Sequence, residues 1–566
     1  MPQGEAGPSS GIARSELCSN IARKRTVQSS SPGVPAAYAL NRSGLLSAPN
    51  RDAQDGKYEW HRIKLCRQAT ISAKGQEIKN TTAHFVAILL LTATLTAASS
   101  AQPWKFAMTC DSRGDANGVN EVILTELAEE FVSQGLDFVL FPGDLVSGMF
   151  VSSPGVFESD LRAWVRIMKP VYDAGTAVYV GRGNHEVADA WYTTPSADDN
   201  FALRWIKVFG SDSDPNLKLP GNGPAGEKYM TYALNHKNAF VVMLDQYAGI
   251  GHRLDHKLNQ PWLDAQLAAN TKAHIFITGH EPAFKAKDRA GLDDYPDKRD
   301  ALWAAISNNA GRIYLCGHDH FYNHARVDDG DGDPNNDVHQ YIVGTAGPLY
   351  SWNKKYPGDN SHYTIESVYH AGRNGYLLVE VNDLDVTLTW MQRHSTNLNT
   401  TGIYEPNDTW TYTAIPKPIV LSPNGGETLS ARSTHRIKWK TLEGAEIDSV
   451  KIDYSLDNGR TYLGIGACAN TGWYDWSVPT ADSNQCLVRI SGSENPAAAD
   501  ASDKSFTIFQ CREVLAGDLN NDCYIDFQDF VALAADPQAD LLDVAALAGE
   551  WLTCANPHDP ACNTEK

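Results

Sequence analysis

The stretch LCGHDHFYNH, from Leu315 to His324, contains three histidines and one aspartate within ten residues and overlaps the end of the short apolar run RIYLC. A single His-Asp-His cluster is a weak indication of a metal site, because polar residues after a strand usually form a solvated turn. A metal needs further ligands, since protein sites supply at least three. Those ligands would have to lie at the ends of other apolar runs.

Short apolar runs alternate with amphipathic helical stretches between about Trp104 and Gln392. EVILTELAEEFVSQG, for example, carries apolar residues at helical spacing and ends at Gly135. WKFAMTC, DFVLF, AVYV, HIFIT and RIYLC are instead short, largely apolar and suited to buried strands. Strands alternating with helices predict an α/β layered fold with buried sheets.

Five of the predicted strands end in side chains that can bind a metal or move a proton. The residues, in chain order, are Asp111; Asp144; Asn184, His185 and Glu186; His280; and His318 and His320. Open α/β sheets build their sites beyond the carboxyl ends of strands. Five such ends in one domain favour a shared ligand site over five unrelated turns.

These motifs resemble those of the calcineurin-like metallophosphoesterases, which run Asp-x-His, Gly-Asp, Gly-Asn-His-Glu/Asp, Gly-His and Gly-His-x-His. The resemblance covers about half of the chain. It implies a four-layer α/β/β/α sandwich at residues 102–395 and a site for two metal ions. A phosphate ester would be the substrate, and the reaction would be hydrolysis of a phosphoric ester bond.

The resemblance also implies a role for each residue. Asp144 would bridge the two ions. One ion would be held by Asn184, His280 and His318, and the other by Asp111 and His320. His185 would contact the substrate and protonate the leaving oxygen, and Glu186 would orient its imidazole.

Carboxylate, amide and imidazole ligands suit divalent or trivalent Mn, Fe or Zn. Two ions about 3.5–4 Å apart lower the pKa of a shared water and stabilise both ends of an in-line displacement. An imidazole acid contributes about 10²–10⁴-fold to the rate. The ligand types therefore agree with the chemistry that the resemblance implies.

The first motif departs from the family pattern, because Arg113 stands where Asp-x-His has its histidine. An arginine stays protonated and cannot donate a lone pair to a metal. The related purple acid phosphatases use a tyrosine three residues after the bridging aspartate, and that position here is Ser147. Either Arg113 grips a substrate phosphate oxygen, or the adjacent metal is weakened or lost.

Two functions follow from these alternatives. The first is a working metal-dependent phosphoesterase. The second is a catalytically impaired phosphoesterase fold that serves as a binding or scaffold component of an extracellular assembly. With a formal charge of −20, the 566-residue chain is not expected to bind a nucleic-acid backbone.

Residues 1–101 predict a disordered N-terminal segment followed by a signal peptide. The apolar region at 85–98 is too short to span a bilayer, lysines precede it, and small residues follow it up to Ala101. We expect cleavage after Ala101 and a secreted chain, extracellular or periplasmic, with no transmembrane span. Six of the cysteines lie beyond residue 460, where disulfides would stabilise small exported domains.

The remaining chain predicts two smaller domains. After a linker at 396–416, residues 417–510 carry short alternating strands and resemble Ig-like β-sandwiches. Residues 511–566 resemble a small α-helical dockerin-type, EF-hand-like module, in which DFQDFVALAAD is echoed by DLLDVAALAGE. A cohesin-like protein or a cell surface is the partner that this module would bind.

A calcium loop is expected at the start of the terminal module. Oxygen donors stand at positions 1, 3, 5, 7, 9 and 12 of an EF-hand-type spacing. They are Asp518, Asn520, Asp522, the backbone carbonyl of Tyr524, Asp526 and Asp529. Cys523 replaces the glycine that usually occupies position 6.

Overall fold

The computed structural model describes residues 102–114, 117–148, 153–187, 195–210, 214–247, 258–286, 291–349 and 362–563. The predicted N-terminal segment, with its apolar region at 85–98, lies outside the described residues. Across the described ranges, no helix is both long and apolar enough to cross a membrane.

The first sheet of the α/β domain has six strands. They are β1 (Trp104–Met108), β2 (Phe138–Pro142), β3 (Ala177–Gly181), β11 (Gly375–Asn382), β12 (Asp385–Arg393) and β13 (Tyr404–Thr413). Their order across the sheet is β13-β12-β11-β1-β2-β3. β1, β2 and β3 are parallel, and β11 runs antiparallel to β1. The three parallel strands therefore end at the same edge.

The second sheet has seven strands. They are β4 (Tyr232–His236), β5 (Ala239–Leu244), β6 (His274–Gly279), β7 (Ile313–Cys316), β8 (Tyr322–Asp328), β9 (Val338–Val343) and β10 (Thr364–Ala371). Their order is β10-β8-β9-β7-β6-β5-β4, with β5, β6, β7 and β9 parallel. β4 and β5 form an antiparallel hairpin at one edge of this sheet.

Within the described ranges, six α-helices belong to this domain. They are α1 (Glu121–Gln134), α2 (Pro154–Ile167), α3 (Lys169–Asp173), α4 (Pro195–Phe209), α5 (Gln260–Ala269) and α6 (Pro296–Asn308). α1 begins where Asn120 Oδ1 accepts the Ile123 N–H and ends at Gly135. α1, α2 and α4 share a core with the first sheet, and α5 and α6 share one with the second. The predicted mixed α/β layers are observed.

Aromatic side chains join the two sheets at the centre of the domain. Phe106 on β1 stacks on Phe138 of β2 with ring centroids 4.7 Å apart. It also meets Phe276 on β6 edge-on at 5.0 Å. Because these three rings fill the space between the sheets, they fix how the parallel strand ends of one sheet face those of the other.

The predicted linker at 396–416 differs from the structure. Residues Tyr404–Thr413 form β13, which pairs along its length with β12 and completes the first sheet. Tyr404 and Tyr412 bury their rings in the core of the domain. Prolines and an asparagine in and around this segment interrupt the alternation of apolar and polar residues that is typical of a strand, so the sequence predicted a linker.

Residues 418–509 form an all-β module of two facing sheets. The strands are β14 (Pro418–Ser422), β15 (Thr428–Ser430), β16 (Thr434–Thr441), β17 (Ser449–Ser455), β18 (Leu463–Ala469), β19 (Trp473–Ser477), β20 (Ser483–Gly492), β21 (Ala499–Ala501) and β22 (Phe506–Phe509). One sheet runs β14-β16-β19 and the other β15-β22-β20-β17-β18, with β21 on β20. Trp439, Ile452 and Ile490 lie in the core between them.

The C-terminal residues contain two short helices, α7 (Phe527–Ala535) and α8 (Leu541–Gly549). Each begins at an aspartate cap followed three residues later by a second aspartate, as the repeated sequence predicts. Disulfides join Cys511 to Cys523 and Cys554 to Cys562. The other two late cysteines, Cys468 and Cys486, are free thiols, as are the buried Cys110 and Cys316.

We expect Phe106→Ala to destabilise the α/β domain by about 3–5 kcal/mol, because it leaves a cavity at the contact between the sheets. Urea unfolding followed by tryptophan fluorescence measures this change. Val368→Ala, at a side chain that is 50% exposed, is the matched control and should change stability by less than about 0.5 kcal/mol. Equal effects of the two substitutions would contradict the central position of Phe106.

Candidate metal centre

The structure brings the predicted ligands from both sheets to one place. Asp111, Asp144 and Asn184 follow β1, β2 and β3, whereas His280 and His318 follow β6 and β7. The carboxyl ends of these strands meet, since the sheets pack face to face with their parallel strands aligned to one edge. All of these side chains except that of Asn184 belong to residues that are at most 5% exposed.

Four electron-pair donors form a compact set, which we call the first ligand set. His280 Nε2 lies 3.3 Å from Asn184 Oδ1, 3.2 Å from His318 Nδ1 and 3.4 Å from Asp144 Oδ1. Ligands around a tetrahedral metal with bonds of 2.0–2.1 Å are separated by about 3.4 Å. The spacing of this set therefore fits a bound divalent cation.

The tautomer of His280 supports this fit. Its Nδ1 lies 3.0 Å from the carbonyl oxygen of Pro142, to which it donates its ring proton. Nε2 consequently presents its lone pair to the other three donors. His318 Nδ1 lies 2.9 Å from Asn184 Oδ1 and 3.2 Å from His280 Nε2, and in the tautomer protonated at Nε2 it would offer a fourth lone pair. An amide oxygen, a carboxylate oxygen and two imidazole nitrogens are a donor set with the chemistry of a metal site.

A second ligand set consists of Asp111, Asp144 and His320, whose ligand atoms all lie within 4.8 Å of one another. His320 donates from Nδ1 to the Pro348 carbonyl oxygen at 2.6 Å, which leaves Nε2 facing the site. Asp111 is fully buried, and its Oδ1 lies 3.4 Å from His320 Nε2. These three side chains alone would suit a metal.

Arg113 also contacts this second set. Its Nη2 lies 3.3 Å from His320 Nε2, and its Nε lies 3.7 Å from Asp144 Oδ2. The guanidinium therefore faces the lone pairs that a metal would use. A second metal ion does not fit the second set while the guanidinium holds this position.

Three of the ligand residues adopt left-handed backbone conformations that non-glycine residues rarely adopt. Their φ angles are 64° for Asp111, 50° for Asp144 and 67° for His318. Each backbone N–H is held by a hydrogen bond, from Asp111 to the Gly143 carbonyl, from Asp144 to Glu186 and from His318 to Asp111 Oδ2. These hydrogen bonds hold the three residues in strained backbone conformations, each of which costs about 1–3 kcal/mol.

Glu186 contacts the backbone of the site instead of the His185 imidazole that it was expected to orient. Its carboxylate accepts N–H groups from Asp144 at 2.8 Å, Val146 at 3.2 Å and Gly183 at 2.8 Å. Burial and the neighbouring charge of Asp144 raise the pKa of Glu186, and the three N–H groups oppose that shift. Glu186 thus ties the loop after β2 to the loop after β3.

His185 is held by a backbone carbonyl. Its Nδ1 lies 3.3 Å from the Ser147 oxygen, and its Nε2 points into the site, 3.7 Å from Asp144 Oδ2. Burial lowers the pKa of His185 to about 4, with the Arg113 guanidinium acting in the same direction and Asp144 opposing it. A negatively charged substrate beside Nε2 would favour the protonated imidazole.

Comparison with known proteins agrees with this geometry. Residues 116–322 match the model of the family described as calcineurin-like phosphoesterase. The chain contains a calcineurin-like phosphoesterase domain. The matched range includes the first ligand set and His185, Glu186 and His320, and it begins after Asp111 and Arg113.

The chain is also similar to the human (Homo sapiens) tartrate-resistant acid phosphatase type 5. The two are 25% identical over 228 residues, which make up 37% of this chain and 65% of that protein. The comparisons confirm the prediction of a phosphoric-ester hydrolase domain. Among the described residues, Asp111, Asp144 and His320 form a group that could hold a metal ion.

Sequence reasoning did not find the carbonyl groups that orient the imidazoles. Those groups belong to Pro142, Ser147 and Pro348. Every residue has a carbonyl, so residue type carries no signal for this role. The thiol of Cys110, which donates to Asp111 Oδ2 at 2.7 Å, could have been found from its place beside the first aspartate.

We expect Gly183→Ala to weaken metal binding at the first ligand set by about 10–100-fold, as for other changes to the groups that orient metal ligands. A Cβ at this position would collide with Asp144 Oδ1 and with the Asp144 backbone nitrogen. Isothermal titration with Zn²⁺ measures the affinity. Gly372→Ala, where a Cβ meets no atom within 4 Å, is the control and should bind like the unmodified protein.

Proposed function

We propose that this chain hydrolyses phosphate esters in a metal-dependent reaction at the strand ends of its phosphoesterase domain. The observation that carries the proposal is the convergence of Asn184 Oδ1, His318 Nδ1 and Asp144 Oδ1 within 3.4 Å of His280 Nε2. Fe, Mn or Zn suits this mixture of oxygen and nitrogen donors. A bound ion would polarise the phosphoryl oxygens and lower the pKa of a coordinated water.

The protein residues around the ligands supply the remaining functions. His185 would donate a proton from Nε2 to the leaving oxygen, because the Ser147 carbonyl occupies its other nitrogen. Arg113 offers N–H donors to a phosphate oxygen at the mouth of the second ligand set. Both side chains are largely buried, so their interactions with a bound phosphate would be screened little by water.

The proposal extends to export of the chain. The apolar region at 85–98 with small residues up to Ala101 supports a signal peptide, and the two disulfides after residue 510 suit an oxidising compartment. The all-β module at 417–510 would act as an Ig-like spacer between the phosphoesterase domain and the terminal module.

The terminal module would bind calcium at its first loop. Asp529 is fully buried and accepts N–H groups from Leu519 and Asp526, which draws the loop around its carboxylate. Burial raises the pKa values of Asp518 and Asp522, with the charge of Asp529 acting in the same direction. A cation would relieve this repulsion.

The turn residue of this loop also supports the proposal. Cys523 adopts a φ of 70°, the left-handed conformation that glycine usually supplies at position 6. Several large apolar side chains of the helical module are exposed, among them Phe527, Leu541 and Leu542. They would form the contact with a cohesin-like protein or a cell-surface partner.

We expect His185→Ala to lower kcat by about 10²–10⁴-fold while metal content stays unchanged, because His185 is outside both ligand sets. Hydrolysis of an aryl phosphate and of its diester under Mn, Fe and Zn measures the activity. His394→Ala, at an exposed histidine, is the control. No turnover by the unmodified protein under any of these ions would favour the scaffold function instead.

We expect Ca²⁺ to raise the melting temperature of the terminal module, since a ligand at 100 times its Kd stabilises by about 2.7 kcal/mol. Asp518→Ala should abolish the rise, whereas Glu513→Gln, at an exposed side chain just before the loop, should retain it. Differential scanning calorimetry with and without EGTA measures the change. A rise that survives Asp518→Ala would place the calcium elsewhere.

A further inference from the structure

We infer that the guanidinium of Arg113 takes the place of one metal ion, so that the site holds a single ion beside a fixed organic cation. The inference rests on the proposed function and specifies its metal content. It replaces the expectation of two ions that came from the family resemblance.

The backbone around Arg113 is fixed independently of its side chain. Arg113 forms a β-bridge with Val119, and the Asn120 N–H donates to the Ser112 carbonyl at 2.8 Å. The Ser112 hydroxyl accepts the Trp164 indole N–H at 3.0 Å and donates to the Leu145 carbonyl at 2.9 Å. The side chain at position 113 is therefore directed to the site by the fold.

The guanidinium is placed as a counter-charge to the second ligand set. It lies within 3.7 Å of both Asp144 Oδ2 and His320 Nε2, and its side chain is only 13% exposed. A guanidinium is charged at every accessible pH and spreads its charge over a planar group. A metal bound to the same atoms would be close to this buried cation, and the two would repel each other.

In the first ligand set the described contacts join potential lone-pair donors to one another, namely Asn184 Oδ1, His280 Nε2, His318 Nδ1 and Asp144 Oδ1. Arg113 approaches the shared Asp144 at its other oxygen, Oδ2, on the side of the second ligand set. The two halves of the site therefore differ in charge. One is arranged for a metal ion, and the other already contains a cation.

This arrangement assigns Arg113 a direct role in substrate binding. Its planar N–H donors suit a phosphate oxygen, which in the resembled arrangement would contact the second ion. A phosphate ester would then lie between one metal ion and one guanidinium. The negative charge of the substrate would still be balanced from two sides.

The test is the transition-metal content of the full chain by mass spectrometry after dialysis against Mn²⁺ or Zn²⁺. Excess Ca²⁺ is present throughout to fill the loop at 518–529. We expect one ion for the unmodified protein. Arg113→His, which restores the histidine of the family motif, should bind two, and Arg113→Lys should remain at one.

Mn²⁺ electron paramagnetic resonance gives a second readout that does not depend on counting. The unmodified protein should show an isolated Mn²⁺ signal, whereas Arg113→His should show exchange coupling between two ions. Asp144→Ala, which removes a ligand from both sets, defines the background. Arg166→His, at an exposed arginine on α2, controls for metal bound by an added surface histidine.

Turnover of an aryl phosphate separates this inference from the proposed function. Arg113→Ala should raise KM by about tenfold or more, because a charged hydrogen bond to phosphate is lost. Two bound ions in the unmodified protein, or one ion in Arg113→His that folds normally by circular dichroism, would overturn the inference even if phosphate esters are hydrolysed. One ion without turnover would instead reject the proposed function.

Discussion

Two buried carboxylates, Asp111 and Asp144, lie side by side where the sheets meet, and the rest of the site compensates for their charge. Removing a carboxylate from water is costly unless it is paired or hydrogen-bonded. Backbone N–H groups of His318 and His185, the Cys110 thiol and the Arg113 guanidinium all point toward these oxygens. The two carboxylates therefore set both the charge and the backbone geometry of the centre.

The need to place those carboxylates explains the strained backbone around them. Asp111, Asp144 and His318 adopt left-handed conformations, and each of their N–H groups is held by a neighbouring loop. Close approach of these loops requires glycine at positions 143 and 183, where a Cβ would collide with the opposite backbone. The sheets and their aromatic core supply the rigidity that keeps this arrangement in place.

Charge balance also gives Arg113 its importance. In a site that must neutralise two carboxylates and a phosphate, an arginine and a metal ion can fulfil the same electrostatic requirement. They differ in what else they do, because only a metal ion can lower the pKa of a coordinated water. Under the proposed function, an arginine on one side and four metal-binding side chains on the other would divide substrate binding from the activation of water.

The α/β class of the fold and the candidate ligands can be predicted from the sequence, because each motif directly follows an apolar strand and both signals are local. The two terminal helices are also predictable from the repeated sequence, since in each of them the aspartate cap is followed three residues later by a second aspartate. Long-range packing, by contrast, determines which carbonyls orient the imidazoles and which cysteines pair. It also brings Tyr404–Thr413 into the first sheet and Arg113 between Asp144 and His320. These features depend on contacts between residues far apart in the chain. Any backbone carbonyl can accept a hydrogen bond, so residue type does not show which one orients an imidazole. An irregular strand such as Tyr404–Thr413 is recognised from its pairing with a neighbouring strand rather than from its own sequence pattern.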